Sequence, residues 1–498
     1  MSPFWPGFTD GAYTMRSAAI DNEACINLYP ETVDSQSSPK RAVLYGTPGL
    51  FSQVTAADAI SRGMFSQDGR HFTVIGATLY ELTITGSAPA GTLVVQLTSR
   101  GTVANNSSLV YFASNGAGGN QLAISSAGSL YMFNLSSNTL SAAISLPLTN
   151  AAGPVVFLNS YFLLLEVNSL KVWFSAFEDG TSWDGLDYFT RSNTSDNLVG
   201  MVAWHDYVRV FGSKTSEFFY NVGEADNPFL PYPGSITMDG AVGATTIAVI
   251  GDSIVWLSRN EHNVVRMLQA TFGASKIIST PAVEFALAGY TSVTDSEVLV
   301  YEQEGHPFAI WTFPTADVAW AFDLREGKWH QRLGWNNVTC SYYRWRARGC
   351  CAPGGGSQAV LVGDYVTGDI HLLSLDRFDD NGTLIRRQRR APYVSDENQW
   401  LFLDQVELGI QSGVGLASGV GVNATLNFHV SRDSGQTYSP NVPASMGLAG
   451  ATKHRAIWRR LGRARADRLV IDISQTDPVR TVWGPGLWIR ATPGSGAL

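Results

Sequence analysis

From about residue 70 to about residue 375 the chain repeats one local design: a short apolar or alternating run, a tight polar turn, and a second such run. HFTVIGATLYELTI (71–84), NQLAISSAGSLYMFNL (120–135), DYVRVFGSKTSEFFYNV (206–222) and DSIVWLSRNEHNVVRM (252–267) are clear copies. FAIWTFPTADVAWAFDLREGKWHQR (308–332) and AVLVGDYVTGDIHLLSL (359–375) follow. Alternation at period two, bounded by Gly, Asn and Asp, marks a β-hairpin, because those residues accept the positive φ that a short turn requires. Gly76-Ala77-Thr78-Leu79-Tyr80 and Gly128-Ser129-Leu130-Tyr131 restate one turn 51 residues apart, and later units come at spacings near 45 to 60. Recurring four-strand units of that length predict the blades of a β-propeller. About six fit between residues 56 and 392, with five or seven also open.

Composition points the same way. Charged residues are 15% of the chain, well under the usual quarter, and Gly is abundant at 49. Helix formers are scarce, while 14 Trp and 18 Tyr suit pleated sheets. The chain is therefore all-β, and 498 residues exceed one ordinary core. From about Gln399 the strands lengthen (QWLFLDQVELGIQSG, ATLNFHVSRDSGQTYS, ADRLVIDIS, GLWIRATP) and predict a separate β-sandwich-like domain. The expected division is an extended N-terminal segment over 1–55 that packs on the other domains, an irregular β-propeller over 56–392, and the sandwich over 393–498.

Ala321-Phe-Asp323-Leu-Arg-Glu-Gly327-Lys-Trp329 reads as a hairpin: Asp323 and Gly327 bracket the turn, and the Trp329 ring packs between blades. The longest apolar stretch, VVFLNSYFLLLEV (Val155–Val167), is interrupted by Asn159, Ser160 and Glu166 and is too short to span a bilayer. MSPFWPGFTDG lacks the basic start and apolar run of a signal peptide. Cys25, Cys340, Cys350 and Cys351 form no CxxC, and the adjacent pair cannot easily bridge, so they read as thiols in a reducing compartment. These features describe a soluble protein made in the cytosol.

Motifs of chemistry are few. Ser431-Arg-Asp433-Ser-Gly435-Gln-Thr437-Tyr438 resembles the Asp-box of sialidases and other propellers, with Tyr in place of Trp. Physically it is a structural hairpin turn, in which Asp433 accepts backbone N–H bonds, Gly435 takes positive φ and Tyr438 plugs the hairpin. Gly212-Ser-Lys214-Thr215 echoes the end of a P-loop, but its glycines are misplaced and it lies between two strand runs. Gly354-Gly355-Gly356 has no following Lys-Ser/Thr and reads as a loop. The eight histidines make no HxH, HxxxH or HExxH, and no GxSxG occurs. No catalytic residue, cofactor site or metal site is predicted.

Charge is unevenly placed. Residues 1–340 hold 16 Lys/Arg against 29 Asp/Glu, and residues 341–498 hold 18 against 13. Within the second part Arg455, Arg459, Arg460, Arg463, Arg465 and Arg468 crowd into RAIWRRLGRARADR. Opposite surfaces on one chain suit self-association or an ordered stack.

Several short motifs, taken in order, resemble one family. They are Asn27-Leu28-Tyr29-Pro30-Glu31, Thr47-Pro48-Gly49-Leu50, Arg62-Gly63-Met64 and the Gly76–Tyr80 hairpin, then Phe322-Asp323 with Gly327-Lys328-Trp329. Gly363-Asp364-Tyr365 with Gly368, Asp380-Asn381-Gly382 with Ile385-Arg386, Arg389-Arg390 with Pro392, and Leu461-Gly462-Arg463-Ala464-Arg465 continue the series. The family is the tail nozzle proteins of short-tailed bacteriophages, also called packaged-DNA stabilisation or head-closure proteins. The resemblance implies a virion protein, made in the host cytoplasm, that forms a homo-hexamer with one propeller per subunit. It implies a dodecameric adaptor above the ring and needle, plug or fibre proteins around or beneath it. DNA would pass through the channel without sequence-specific binding, and the acidic excess of residues 1–340 suits a wall that does not hold phosphate.

Three readings compete for the arginines: a DNA grip, a subunit or adaptor contact, and a solvated edge. No stacking aromatics are interleaved with them along the chain, which disfavours the grip. All-Arg composition favours contact, because the guanidinium forks carboxylates and is enriched at interfaces. Arg459, Arg460, Arg463, Arg465 and Arg468 are thus the candidate interface. The alternatives to a tail protein are a propeller glycosidase or glycan-binding protein acting on host surface polysaccharide, as the Asp-box hints, and a propeller scaffold unrelated to phage.

Overall fold

The structure, a computed structural model, describes residues 4–17, 20–33, 41–56, 59–86, 93–224, 226–260, 262–352, 359–393 and 399–493. The Gly354–Gly356 segment lies outside the described residues.

Among the described residues seven antiparallel blades succeed one another. Their first strands are Ser61–Gln67, Tyr111–Ser114, Ala152–Leu158, Leu198–Trp204, Ala248–Ile250, Glu297–Gln303 and Ala347–Cys351, which begin 41 to 50 residues apart. Each first strand touches the next, and that of blade 7 touches that of blade 1, so the ring closes. Separate apolar clusters fill the interfaces. Phe72 and Val74 meet Leu122 and Phe133 between blades 1 and 2, and Leu163 and Phe174 meet Val208 and Phe219 between blades 3 and 4. Leu361 and Ile370 meet Ile75 and Leu82 where blade 7 meets blade 1. A blade is buried on both faces, which is why its middle strands read as nearly continuous apolar runs.

The count of seven exceeds the six that sequence spacing suggested, and blade 3 accounts for the difference. Its hairpin is Val155–Val167, the stretch weighed as a short membrane run: strands Ala152–Leu158 and Tyr161–Glu166 turn at Asn159 and Ser160. Both turn residues have positive φ (46° and 70°), the left-handed pair of a tight hairpin. Among the described residues no helix is long and apolar enough to cross a membrane.

Blade 7 takes its outermost strand from far upstream. Gly49–Thr55 pairs antiparallel with Asp369–Ser374, and the Asp369 carboxylate accepts hydrogen bonds from Thr55 (2.5 Å) and Thr367 (2.7 Å). A first-to-last strand clasp of this kind removes the open edge that a linear array of blades would leave.

The sandwich also draws on the N-terminus. One sheet holds Leu28–Val33, Arg41–Gly46, Val482–Pro493, Trp400–Ile410, Ala456–Arg459 and Arg463–Arg465, with Phe4–Trp5 on Val482–Pro493. The other holds Asn22–Ile26, Arg387–Pro392, Val470–Gln475, Thr425–Ser431 and Val442–Ser445, and a parallel pair, Ile26 with Gln331, joins it to blade 6. Leu403, Val406 and Trp458 face Leu426, Phe428 and Ile471 between the sheets, with the Phe428 and Trp458 rings stacked at 4.7 Å. Strand pairing thus divides the chain differently from the boundaries expected at 55/56 and 392/393. Strands within 22–46 are sandwich members, Gly49–Thr55 belongs to the propeller, and Arg387–Pro392 belongs to the sandwich.

Buried arginines fasten these parts together. Arg389 donates to the carbonyls of Phe8 (2.7 Å) and Gly11 (2.8 Å) and pairs with Glu23 (2.8 Å). Arg62 reaches Gly76 O (3.0 Å), Ala104 O (2.9 Å) and Ser126 Oγ (2.9 Å), which ties blade 1 to blade 2. A buried guanidinium is tolerable only when its donors are satisfied, so removing its carbonyl partners would be strongly destabilising.

Candidate functional site

The arginine segment forms one edge of the outer sandwich sheet. Ala456–Arg459 and Arg463–Arg465 both pair antiparallel with Trp400–Ile410, in the registers Gln405 with Arg459, Phe402 with Arg463 and Trp400 with Arg465. Between the two short strands Arg460 turns the chain with φ 57° and Gly462 follows at 81°. Leu401, Leu403 and Ala464 point into the core, so their neighbours Trp400, Phe402 and Arg463 point out.

Arg459, Arg460, Arg463 and Arg468 are exposed, and Arg465 is half-buried. Arg465 lies 3.1 Å from Asp467, and Arg468 approaches the same carboxylate at 3.9 Å. Arg455 pairs with Glu407 across the sheet. Among the described residues Arg459, Arg460 and Arg463 make no ion pair. Arg463 instead covers the Trp400 ring, with its guanidinium carbon 4.8 Å from the ring centroid.

Trp400 and Phe402 are 39% and 45% exposed, unusual for large aromatics with no stated duty. Sequence reasoning missed them because they lie some sixty residues upstream of the arginines. The alternation in Gln399-Trp-Leu-Phe-Leu-Asp404 was the available signal: with Leu401 and Leu403 inward, both aromatics must face out. Along the chain the one aromatic among the arginines, Trp458, is buried in the sandwich core, whereas across the sheet two exposed aromatics accompany them.

The Asp-box sequence forms the turn between Thr425–Ser431 and Val442–Ser445. Asp433 Oδ1 accepts from the Gln436 (3.1 Å) and Thr437 (2.9 Å) N–H groups and the Ser431 hydroxyl (2.7 Å), and Oδ2 accepts from the Thr437 hydroxyl (2.5 Å). The Thr437 and Ser431 bonds hold the Asp433 carboxyl down to about 2. Gly435 takes φ 85°, and Tyr438 lies under the Arg390 guanidinium at 5.0 Å. The turn is stitched to the arginine edge, since Arg432 donates to Leu461 O (2.5 Å) and the Ser434 N–H donates to Arg468 O (3.0 Å).

At Gly212–Thr215 the N–H groups of Ser213, Lys214 and Thr215 all point at the Asp196 carboxylate, at 3.0, 2.7 and 2.9 Å. A carboxylate therefore occupies the place where a P-loop would receive phosphate. Asp364, Asp369 and His371 approach closely enough to suggest a metal site. Asp364, however, is engaged by Arg346 at 2.6 Å and by His371 Nε2 at 3.0 Å, and Asp369 serves the clasp of blade 7. That donor set fits a neutralised structural network better than a cation. The four cysteines are thiols, and burial pushes Cys25 up to about 12 and Cys350 up to about 11, away from nucleophilic reactivity.

The propeller axis is sparsely charged. Among the first strands, Glu297, Glu302, Arg62 and Arg348 carry the charge. Arg348 pairs with Glu297 at 2.5 Å and also donates to Ser61 O (3.2 Å) and Ser107 O (3.0 Å), linking blades 6, 7 and 1.

The structure is similar in part to the N-terminal domain of Nup159 (TM-score 0.40, 9% identity, 70% of this chain and 98% of that one). It is similar to YCF48 from Cyanidioschyzon merolae (0.39, 12%, 66% and 98%). A third similar structure is the extracellular domain of the one-component system BT4673 from B. thetaiotaomicron (0.41, 11%, 73% and 45%). No curated protein matches by sequence. Residues 7–377 match the family described as Bacteriophage P22 Gp10, beta-propeller, and residues 386–478 match Bacteriophage P22 Gp10, beta-sandwich. The chain therefore belongs to the bacteriophage P22 Gp10 family and is a structural protein of the phage tail.

Proposed function

We propose that this chain is the tail nozzle subunit of a short-tailed phage. Six copies form a ring below the dodecameric adaptor, continue the DNA channel, retain the packaged genome and let it pass at ejection. Needle, plug or fibre proteins attach around or beneath the ring. The channel runs between the copies of the ring. The protein acts by shape and contact, not by catalysis.

The observation that carries this reading is the outward face of Trp400, Phe402, Arg459, Arg460 and Arg463. Arg and aromatic residues are the types enriched at protein interfaces and at their energetic centres. Arg459, Arg460, Arg463, Arg465 and Arg468 therefore form the assembly contact, to a neighbouring subunit or to the adaptor. The Asp-box turn of Ser431, Asp433, Gly435, Thr437 and Tyr438 has a structural role as its brace. The test is to assemble particles with the Arg463→Glu, Arg465→Glu chain and measure nuclease-accessible DNA and infectious titre. Loss of the genome from filled heads is expected. Normal titre with protected DNA would return the arginines to a solvated edge.

A further inference from the structure

The arginine face has a counterpart on the same chain. In blade 3 the loop between Lys171–Phe174 and Tyr188–Thr190 carries Phe177, Asp184, Leu186 and Asp187, and in blade 4 the loop before Phe229–Pro231 carries Asp226. Leu186 is 83% exposed and Phe177 is 64% exposed. Burial, and then the nearby carboxylates of Asp184 and Asp226, push Asp187 above the ordinary carboxylate range. The three acids are thus crowded together, and among the described residues none has a cationic partner. Between Lys171 and Lys214 the only lysines or arginines are Arg191 and Arg209, and both are fully buried.

We infer that the occupant of the Trp400–Phe402–arginine face is this blade 3 and blade 4 patch on a second copy of the chain. The inference rests on the reading of the arginines as an assembly contact and names their partner. Each surface offers two large exposed apolar side chains beside unpaired charges, and the charges are opposite in sign. Contact buries the apolar groups, relieves the crowding of Asp184, Asp187 and Asp226, and gives Arg459, Arg460 and Arg463 carboxylates to fork.

Topology excludes a contact within one chain. The sandwich is seated on blade 6 through Ile26 and Gln331, and its neighbouring strand Gly49–Thr55 closes blade 7. Blades 3 and 4 lie on the opposite arc of the ring. The contact is therefore head-to-tail, the type that closes into a ring when the rotation per copy permits.

The test is a charge exchange scored in assembled particles. Arg459→Glu with Arg463→Glu, and separately Asp184→Arg with Asp187→Arg, should each lower the yield of DNA-filled particles by roughly 100-fold, because like charges are then opposed. The chain carrying all four changes should recover most of that loss. As a second readout, Phe402→Cys and Leu186→Cys are introduced together in a Cys340→Ser background, and the assembled tails are oxidised. Ladders of linked chains are expected with both cysteines present and with neither single one. If the arginine pair abolishes assembly while the exchange gives no recovery and no ladder forms, the contact reading survives, the partner is another protein, and this inference is wrong. If the arginine pair assembles normally, the contact reading itself fails.

Discussion

Arg432 donates from Nη2 to the carbonyl oxygen of Leu461 at 2.5 Å, so the hairpin turn at Ser431–Tyr438 and the arginine edge form one fastened unit. Ser434 adds a second tie to the carbonyl of Arg468 at 3.0 Å. The turn is held by the Asp433 carboxylate, so the placing of the arginine edge depends on a residue outside that edge.

Asp433→Ala should lower the melting temperature of the sandwich and weaken particle assembly, because the Gln436 and Thr437 N–H groups lose their acceptor. The carboxyl is held at about 2, below its unfolded value of about 3.9. Its contribution is therefore fully present above pH ~4 and is lost as pH falls through ~2. Calorimetry of both chains across that window checks the sign; identical acid limbs would refute the assignment.

His330 gives a pH dependence at milder acidity. It is buried against Tyr29 and Phe308, and burial, then the Arg332 charge, hold it near about 3. The unfolded chain binds the same proton near 6.5, so between those values the unfolded state carries more protons. Stability contributed by this group is full above about pH 6.5 and falls toward pH 3, by roughly 1.4 kcal/mol per unit. His330→Gln should flatten the fall in melting temperature between about pH 6 and about pH 4.

Removal of residues 1–46 should unfold the sandwich while leaving the seven-bladed ring able to close through Gly49–Thr55. The deletion takes away Asn22–Ile26, Leu28–Val33 and Arg41–Gly46 and strips Arg389 of Phe8, Gly11 and Glu23. Hydrogen exchange should show protection lost in Trp400–Ile410 and Val470–Gln475 but kept in blades 2 to 4.

Ser160→Gly should stabilise the chain by about 1 kcal/mol, since Ser160 sits at φ 70°, where an L side chain is strained. A denaturant midpoint that moves down instead would argue against the Asn159–Ser160 turn.

The purified chain should scatter light as a monomer of 53.9 kDa and close into a ring only on its assembly partner. The proposed head-to-tail contact relies on exposed charge, which salt screens. A stable ring at low micromolar concentration would contradict this.

How much of this was legible in the sequence depends on how far apart the partners lie. Hairpins with polar turns, such as Arg70–Ile75 with Thr78–Thr85, announce themselves because both strands and the turn are contiguous. Blade 3 was hidden because its turn, Asn159-Ser160, is set in an apolar run that carries no alternation. The clasp of Gly49–Thr55 on Asp369–Ser374 joins residues more than three hundred positions apart, and no local pattern encodes that register. The same holds at the candidate interface: the arginines were plain in the sequence, but their neighbours Trp400 and Phe402 were separated from them by a hairpin and two loops.

The pairing of Phe4–Trp5 with Leu487 and Trp488 has a temporal meaning. Phe4–Trp5 must wait for Val482–Pro493 to leave the ribosome, and Gly49–Thr55 must wait for Asp369–Ser374. Contacts of such long range form slowly. A growing chain can therefore close its ring once Asp369–Ser374 is made, but the sheet that carries the arginine edge stays unfinished until Val482–Pro493 pairs with Trp400–Ile410.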